Sequence, residues 1–217
     1  MEFKGVIFDL DGTLANTLSD IAGSMNRVLK AHRFPSHPVE DYKLLVGRGL
    51  DNLVQQSLPE HARKTALVSK CLAEMMEDYN EYCLVKTCLY DGIRLMLDEL
   101  VARKIKLAIF SNKSEPLTHK IVKHLLGDFS FVRVMGARSG IPKKPDPSGA
   151  LIISAQMGIF PNEIIYMGDS DVDMITATRA GMYAVGVLWG FRSGEELLQN
   201  GARLLLSEPS DLMRIWL

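Results

Sequence analysis

Short, mostly apolar runs recur along the chain at residues 3–8, 105–110, 131–135, 164–167 and 183–188. Their length and the turn formers around them read as strands, and the lack of polar alternation reads as burial on both faces. Between them, residues 93–102, 116–126, 147–157 and 171–180 carry helical patterns. Strand and helix alternate. The pattern predicts an α/β, Rossmann-like fold in which helices cover both faces of a parallel sheet.

One connection breaks the rhythm. The first strand ends at residue 8 and the second begins at residue 105, so 96 residues separate them, where a crossover needs only a dozen or so. Within that stretch, residues 16–32, 39–46, 50–57 and 60–82 read as helices, punctuated by Pro35, Pro38 and Pro59. The chain is therefore predicted to have an α/β core, residues 1–14 and 86–217, with an all-helical cap inserted at 15–85. Residues 194–217 read as a helix, a short strand at 203–206 and a last helix that closes the sheet edge.

Composition narrows the function. A net charge of −1 across 217 residues offers no general attraction for nucleic acid or anionic lipid, so a small-molecule partner is expected. The first residues lead directly into a strand pattern without the longer apolar stretch of a signal peptide or spanning helix, which predicts a cytoplasmic protein with no membrane partner. Cys71, Cys83 and Cys88 are unevenly spaced with no nearby His cluster, so neither a disulfide framework nor a zinc site is expected.

In a doubly wound sheet, ligands collect beyond the carboxyl ends of the strands, where the strand order reverses. Three predicted ends carry chemistry. The first holds Asp9 and Asp11, which on an extended segment share one side, so one carboxylate could attack phosphorus while the other moves protons. The fourth holds Gly168-Asp169-Ser170-Asp171-Val172-Asp173, where Asp169 and Asp173 can converge on a hard cation such as magnesium. The second leads into Ser111-Asn112-Lys113, whose hydroxyl and backbone amides, at a helix start, suit phosphoryl oxygens. Lys143-Lys144-Pro145 adds cationic charge. Taken singly, each of these also reads as a turn, a helix cap or a solvated pair. Their joint order at the element boundaries of one α/β pattern is what favours a site.

These segments resemble the motifs of the haloacid dehalogenase superfamily. Asp9-Leu10-Asp11-Gly12-Thr13-Leu14 matches the first, Ser111-Asn112-Lys113 the second, Lys144-Pro145 the third and Gly168-Asp169-Ser170-x-x-Asp173 the fourth. The resemblance implies that Asp9 is a nucleophile, Asp11 a general acid and base, and Lys144 a catalytic cation. It further implies that Ser111, Asn112 and Thr13 bind the phosphoryl group. Magnesium would be held by Asp9, the Asp11 carbonyl and Asp169, with Asp173 in support. Within the superfamily the chain is most like phosphoglycolate phosphatases, an expectation carried by Val46-Gly47-Arg48-Gly49-Leu50 and the segment from Gly186 to Leu197. Arg48 is then expected to meet a substrate carboxylate in bidentate fashion. Where relatives often carry Asp-Ser, this chain has Asn16-Thr17.

Two other readings share the motifs. A phosphosugar mutase of the β-phosphoglucomutase kind uses the same aspartyl phosphate, and a non-catalytic binding module could keep the fold without the reaction. The residues do not name the metabolite or the oligomeric state, monomer or homodimer.

Overall fold

Gly5–Phe8, the first strand, has every residue buried and lies inside a six-stranded sheet. The structure, a computed structural model, describes residues 3–216. Residues 1, 2 and 217, assigned above to the ends of the core, lie outside the described residues. In chain order the strands are β1 (Gly5–Phe8), β2 (Ala15–Asn16), β3 (Cys88–Leu89), β4 (Lys106–Ser114), β5 (Arg133–Ala137), β6 (Ile164–Gly168), β7 (Tyr183–Val187) and β8 (Leu204–Leu206). The α-helices are α1 (Leu18–Ala31), α2 (Leu50–Ser57), α3 (Thr65–Tyr82), α4 (Ile93–Ala102), α5 (Glu115–Leu126), α6 (Ser148–Met157), α7 (Asp171–Arg179) and α8 (Gly194–Gln199).

The large sheet has the order β5-β4-β1-β6-β7-β8, and every paired neighbour is parallel. From β1 the chain builds outward through β4 and β5, then returns to the other side of β1 for β6, β7 and β8. The reversal falls at β1, so the crevice expected of such sheets opens at its carboxyl end. Phe8 is in register with Ile109 of β4 and Met167 of β6, which sets Asp9 level with the ends of both neighbours.

Successive β1 side chains point to opposite faces, as strand geometry requires. Val6 and Phe8 join a core that takes in α4, α5 and the inserted helices, whereas Ile7 joins Ile153, Met157, Met174 and Ala177 beneath α6 and α7. Hydrophobic burial on both faces explains the unbroken apolar runs.

The insertion is helical, as expected, and enters and leaves through the antiparallel pair β2–β3, with Ala15 opposite Leu89 and Asn16 opposite Cys88. Several predicted boundaries shift. The first cap helix starts at Leu18 rather than at residue 16, because Ala15 and Asn16 are used in β2 and the Thr17 hydroxyl is turned to Asp11 instead of capping the helix. Residues 39–44 form a 3₁₀ helix. The helix read at 60–82 is interrupted: Glu60–Ala62 is 3₁₀ and α3 begins at Thr65. Arg63 donates from Nε to the Leu58 carbonyl at 2.9 Å and from Nη2 to the Gln56 carbonyl at 3.1 Å, satisfying carbonyls at the end of α2 and turning the chain between the two helices.

Asp20 of α1 anchors the return to the core. Its buried Oδ2 accepts from the amides of Val85 at 3.0 Å, Lys86 at 2.9 Å and Thr87 at 2.8 Å, and from the Thr87 hydroxyl at 2.8 Å. Cys71, Cys83 and Cys88 are all free thiols. Among the described residues no helix is long and apolar enough to cross a membrane.

Candidate active site

Asp9 follows β1 and is 5% exposed. Lys144 Nζ lies 2.9 Å from its buried Oδ1, an ion pair between two buried groups. The same Nζ donates to Asp173 Oδ1 at 2.6 Å. Lys143, the other member of the lysine pair, is partly exposed and reaches Asp51 on α2 at 2.5 Å. Structure thus distinguishes two adjacent lysines that the sequence separated only by the proline that follows, across a cis Lys144–Pro145 peptide.

Asp169 follows β6 and is 1% exposed. Its Oδ2 accepts from the Phe191 amide at 2.8 Å, and its Oδ1 from the Thr13 hydroxyl at 3.3 Å. Thr13, grouped above with phosphoryl binding, is completely buried against Asp169. Two glycines make room for this carboxylate. Gly12 has a φ of 86°, and a Cβ there would stand 2.2 Å from Asp169 Oδ2, while a Cβ on Gly190 would stand 2.2 Å from Asp169 Cβ. Asp173 is committed on both oxygens, to Lys144 through Oδ1 and to the Ser170 hydroxyl at 2.5 Å and amide at 3.2 Å through Oδ2. Ser170 and Asp173 form the capping box of α7.

The residues fit a divalent cation. Oxygens of Asp9, Asp169 and Asp173 lie within 4.8 Å of one another, a spacing and chemistry suited to a hard ion. Asp9, Asp11, Asp169 and Asp173 bring four buried carboxylates against two buried ammoniums, Lys113 and Lys144, so two formal negative charges remain. Burial, chiefly, raises the pKa of Asp9 to about 7, with Asp173 and Asp11 adding to the rise and Lys144 opposing it. Asp169 is raised well above the ordinary carboxylate range for the same leading reason. A cation among these carboxylates would reverse that cost.

Ser111, Asn112 and Lys113 were placed just past the second strand. They are in fact part of β4, which runs on to Ser114 with a shift of register against β5 after Phe110. The shift follows from their use: Ser111 Oγ accepts from the Lys113 amide at 3.2 Å, and the Asn112 carboxamide clamps Lys144, accepting from its amide at 2.8 Å and donating to its carbonyl at 3.0 Å. Asn112 Nδ2 also donates to the Gly47 carbonyl of the cap at 2.9 Å. The Asn112 side chain is therefore occupied, and a phosphoryl contact from this residue falls to its backbone.

Asp11 is 8% exposed, and its Oδ1 accepts from the Thr17 hydroxyl at 2.6 Å. Lys113 Nζ lies 3.2 Å from the same oxygen and donates to the Tyr79 hydroxyl of α3 at 2.9 Å. Neither Tyr79 nor a role for Lys113 was visible beforehand, since no motif links residues on separate domains.

Asp9, Asp11, Ser111, Asn112 and Lys113 floor a cavity of about 30 Å³. Ile21, Val46, Leu50 and Leu53, with Gly47 and Gly49, close it from the cap. Such a volume holds about two waters. Arg48 does not line the cavity; half-exposed, it pairs with Asp171 at the start of α7. Arg192 reaches from the core to the carbonyls of Lys43, Leu44 and Val46. These contacts join the cap to the core. Apart from this cavity, His32, Cys71 and Glu74 bring donor atoms within 4.8 Å in the cap, an approach not foreseen for Cys71, although His32 and Glu74 are already paired at 2.6 Å.

A parallel sheet with clustered carboxylates at its reversal point, beneath a helical insertion, is a doubly wound α/β core that carries a capped acidic site. The chain belongs to the haloacid dehalogenase-like hydrolases, whose family profile matches residues 6–187. It is 29% identical to a phosphoglycolate phosphatase of Mannheimia succiniciproducens over 99% of this chain and 98% of that one. A phosphoglycolate phosphatase of Pseudomonas putida is 30% identical over 96% of this chain and 78% of its own length. The crystal structure of a predicted phosphoglycolate phosphatase from Haemophilus somnus superposes with a TM-score of 0.92 at 26% identity, covering 100% of this chain and 99% of that one.

Proposed function

We propose that this protein is a magnesium-dependent phosphatase that hydrolyses a small phosphate monoester through an aspartyl phosphate on Asp9, with 2-phosphoglycolate as the first substrate to test. The observation that carries the reading is the buried Asp9 carboxylate, paired with Lys144, gathered with Asp169 and Asp173, and lining one cavity with Asp11 and Ser111. The phosphoglycolate phosphatase relatives supply the substrate class.

Asp9 attacks phosphorus as the bond to the leaving oxygen breaks, and Asp11 gives that oxygen its proton. Water then attacks the phosphorus of the aspartyl phosphate while Asp11 takes up the water's proton, freeing phosphate and restoring Asp9. The Ser111 hydroxyl, whose oxygen already accepts from Lys113, can donate to a non-bridging phosphoryl oxygen. Lys144 offsets charge on Asp9 and on the phosphoryl group, and Asn112 holds Lys144 in place. Asp9, the Asp11 carbonyl and Asp169 would hold magnesium, with Asp173 behind them, and the bound ion would supply charge stabilisation to the transferring group. Residues 15–85 act as the moving cap, and the apolar wall of Ile21, Val46, Leu50 and Leu53 limits the leaving group to a small one.

The test is phosphate release from a panel of phosphate esters, including 2-phosphoglycolate and glucose 1-phosphate, in magnesium and in EDTA. Magnesium-dependent release with the highest kcat/KM on a small ester supports the proposal. Conversion of glucose 1-phosphate to glucose 6-phosphate without free phosphate would make the protein a mutase, and inertness of the folded protein on every ester would make it a binding module.

A further inference from the structure

Lys113 is 5% exposed and the sequence pattern assigns it no task beyond its place in a motif. A buried ammonium is costly unless paired, and its surroundings show how it is compensated. On one side stands Asp11 Oδ1 at 3.2 Å; on the other the Tyr79 hydroxyl at 2.9 Å, with the Tyr79 ring centroid 4.4 Å from Nζ. Asp11 and Lys113 belong to the core, whereas Tyr79 is a completely buried residue of cap helix α3. Lys113 is thus a bridge between the cap and the carboxylate that handles the proton.

The bridge also sets which oxygen of Asp11 can work. Both Lys113 and the Thr17 hydroxyl address Oδ1, which leaves Oδ2 to carry the proton toward the leaving group. A cap that lifted would take the Tyr79 hydroxyl and ring away from Lys113 and free the ammonium to leave Asp11 for water.

We propose that Lys113 is a positioning residue for Asp11, and that Tyr79 holds Lys113 in place only while the cap is closed, so that proton donation to the leaving oxygen is tied to closure. The inference rests on the phosphatase reading. In the step concerned, the Asp9–phosphorus bond forms and the phosphorus–oxygen bond of the ester breaks. The proton on Asp11 Oδ2 passes to the departing oxygen, leaving Asp11 as a carboxylate against Lys113.

Tyr79→Phe removes one hydroxyl and keeps the ring. The experiment compares kcat/KM for two esters of similar size: ethyl phosphate, whose alkoxide needs a proton to leave, and acetyl phosphate, whose acetate does not. kcat/KM reports the steps up to leaving-group departure. General acid catalysis contributes about 10²- to 10⁴-fold, so misplacing the acid is expected to lower the ethyl phosphate value by about tenfold or more and the acetyl phosphate value by less than about twofold. Lys113→Gln is expected to show the same split with a larger amplitude. Equal falls for both esters would reduce the bridge to a structural contact, and unchanged values for both would make it idle; either overturns the proposal. Wild-type protein inert toward both esters would instead bring down the phosphatase reading, and this inference with it.

Discussion

Lys144 Nζ stands between two carboxylates, 2.9 Å from Asp9 and 2.6 Å from Asp173, with the lysine only 4% exposed. Removing one member of a buried ionic group strands the others, at a cost of about 3–5 kcal/mol. Lys144→Met is therefore expected to lose about that much stability at neutral pH in urea denaturation, and to lose phosphate release. Lys144→Arg is expected not to restore activity, because a planar guanidinium cannot replace a point charge shared by two carboxylates. A stable, active Lys144→Met protein would contradict this placement.

Asp20 offers a test in the hinge, away from the chemistry. Its carboxylate gathers three backbone amides and one hydroxyl at the return from cap to core. Hydrogen bonds to a charged group contribute about 1.5–3 kcal/mol. Asp20→Ala is expected to cost at least about 2 kcal/mol, read from the denaturant midpoint. A change below about 0.5 kcal/mol would mean that water replaces the carboxylate without loss.

Stability should depend on pH and magnesium together. Asp9 has its pKa raised from 3.8 to about 7, so between those values the folded metal-free protein binds more protons than the unfolded chain. Its contribution to stability is then full at low pH and is lost as pH rises through about 7. Asp169, raised for the same cause, acts in the same direction. Melting in EDTA is expected to give a lower Tm at pH 8 than at pH 6 on account of these groups, and the gain in Tm on adding magnesium is expected to be larger at pH 8. A magnesium effect that is absent, or larger at pH 6, would contradict the assigned cation site.

Arg48 was expected to greet a substrate carboxylate, yet it pairs with Asp171 across the cap boundary. Exposed ion pairs contribute about 0–1 kcal/mol, which corresponds to at most about fivefold in affinity. If Arg48 serves only this pair with Asp171, Arg48→Ala changes KM for acidic and neutral esters alike and by no more than that factor. A selective rise for acidic esters would return it to the substrate site.

Much of the site was legible because its residues sit where apolar runs end: Asp9 after β1, Asp169 after β6, and Lys144 marked by Pro145. The parallel sheet was legible for the same reason, since burial on both faces erases polar alternation. What escaped depends on contacts between distant segments. Asp20 meets residues 85–87 only after the cap folds back, Tyr79 meets Lys113 across the boundary between cap and core, and the Phe191 amide reaches Asp169 from beyond β7. The break at 63–64 was hidden as well, because Arg63 is an ordinary helix former until its guanidinium finds the carbonyls of α2.

The claim that Asp9 receives the phosphoryl group is tested most directly by capturing the intermediate. Protein would be mixed with radiolabelled 2-phosphoglycolate, or with the best ester of the panel, in magnesium, quenched in acid and digested. The account predicts a label released by hydroxylamine, located on the peptide that contains Asp9 and absent from Asp9→Asn. Phosphate release that continues in Asp9→Asn, or a label on any other residue, would contradict it.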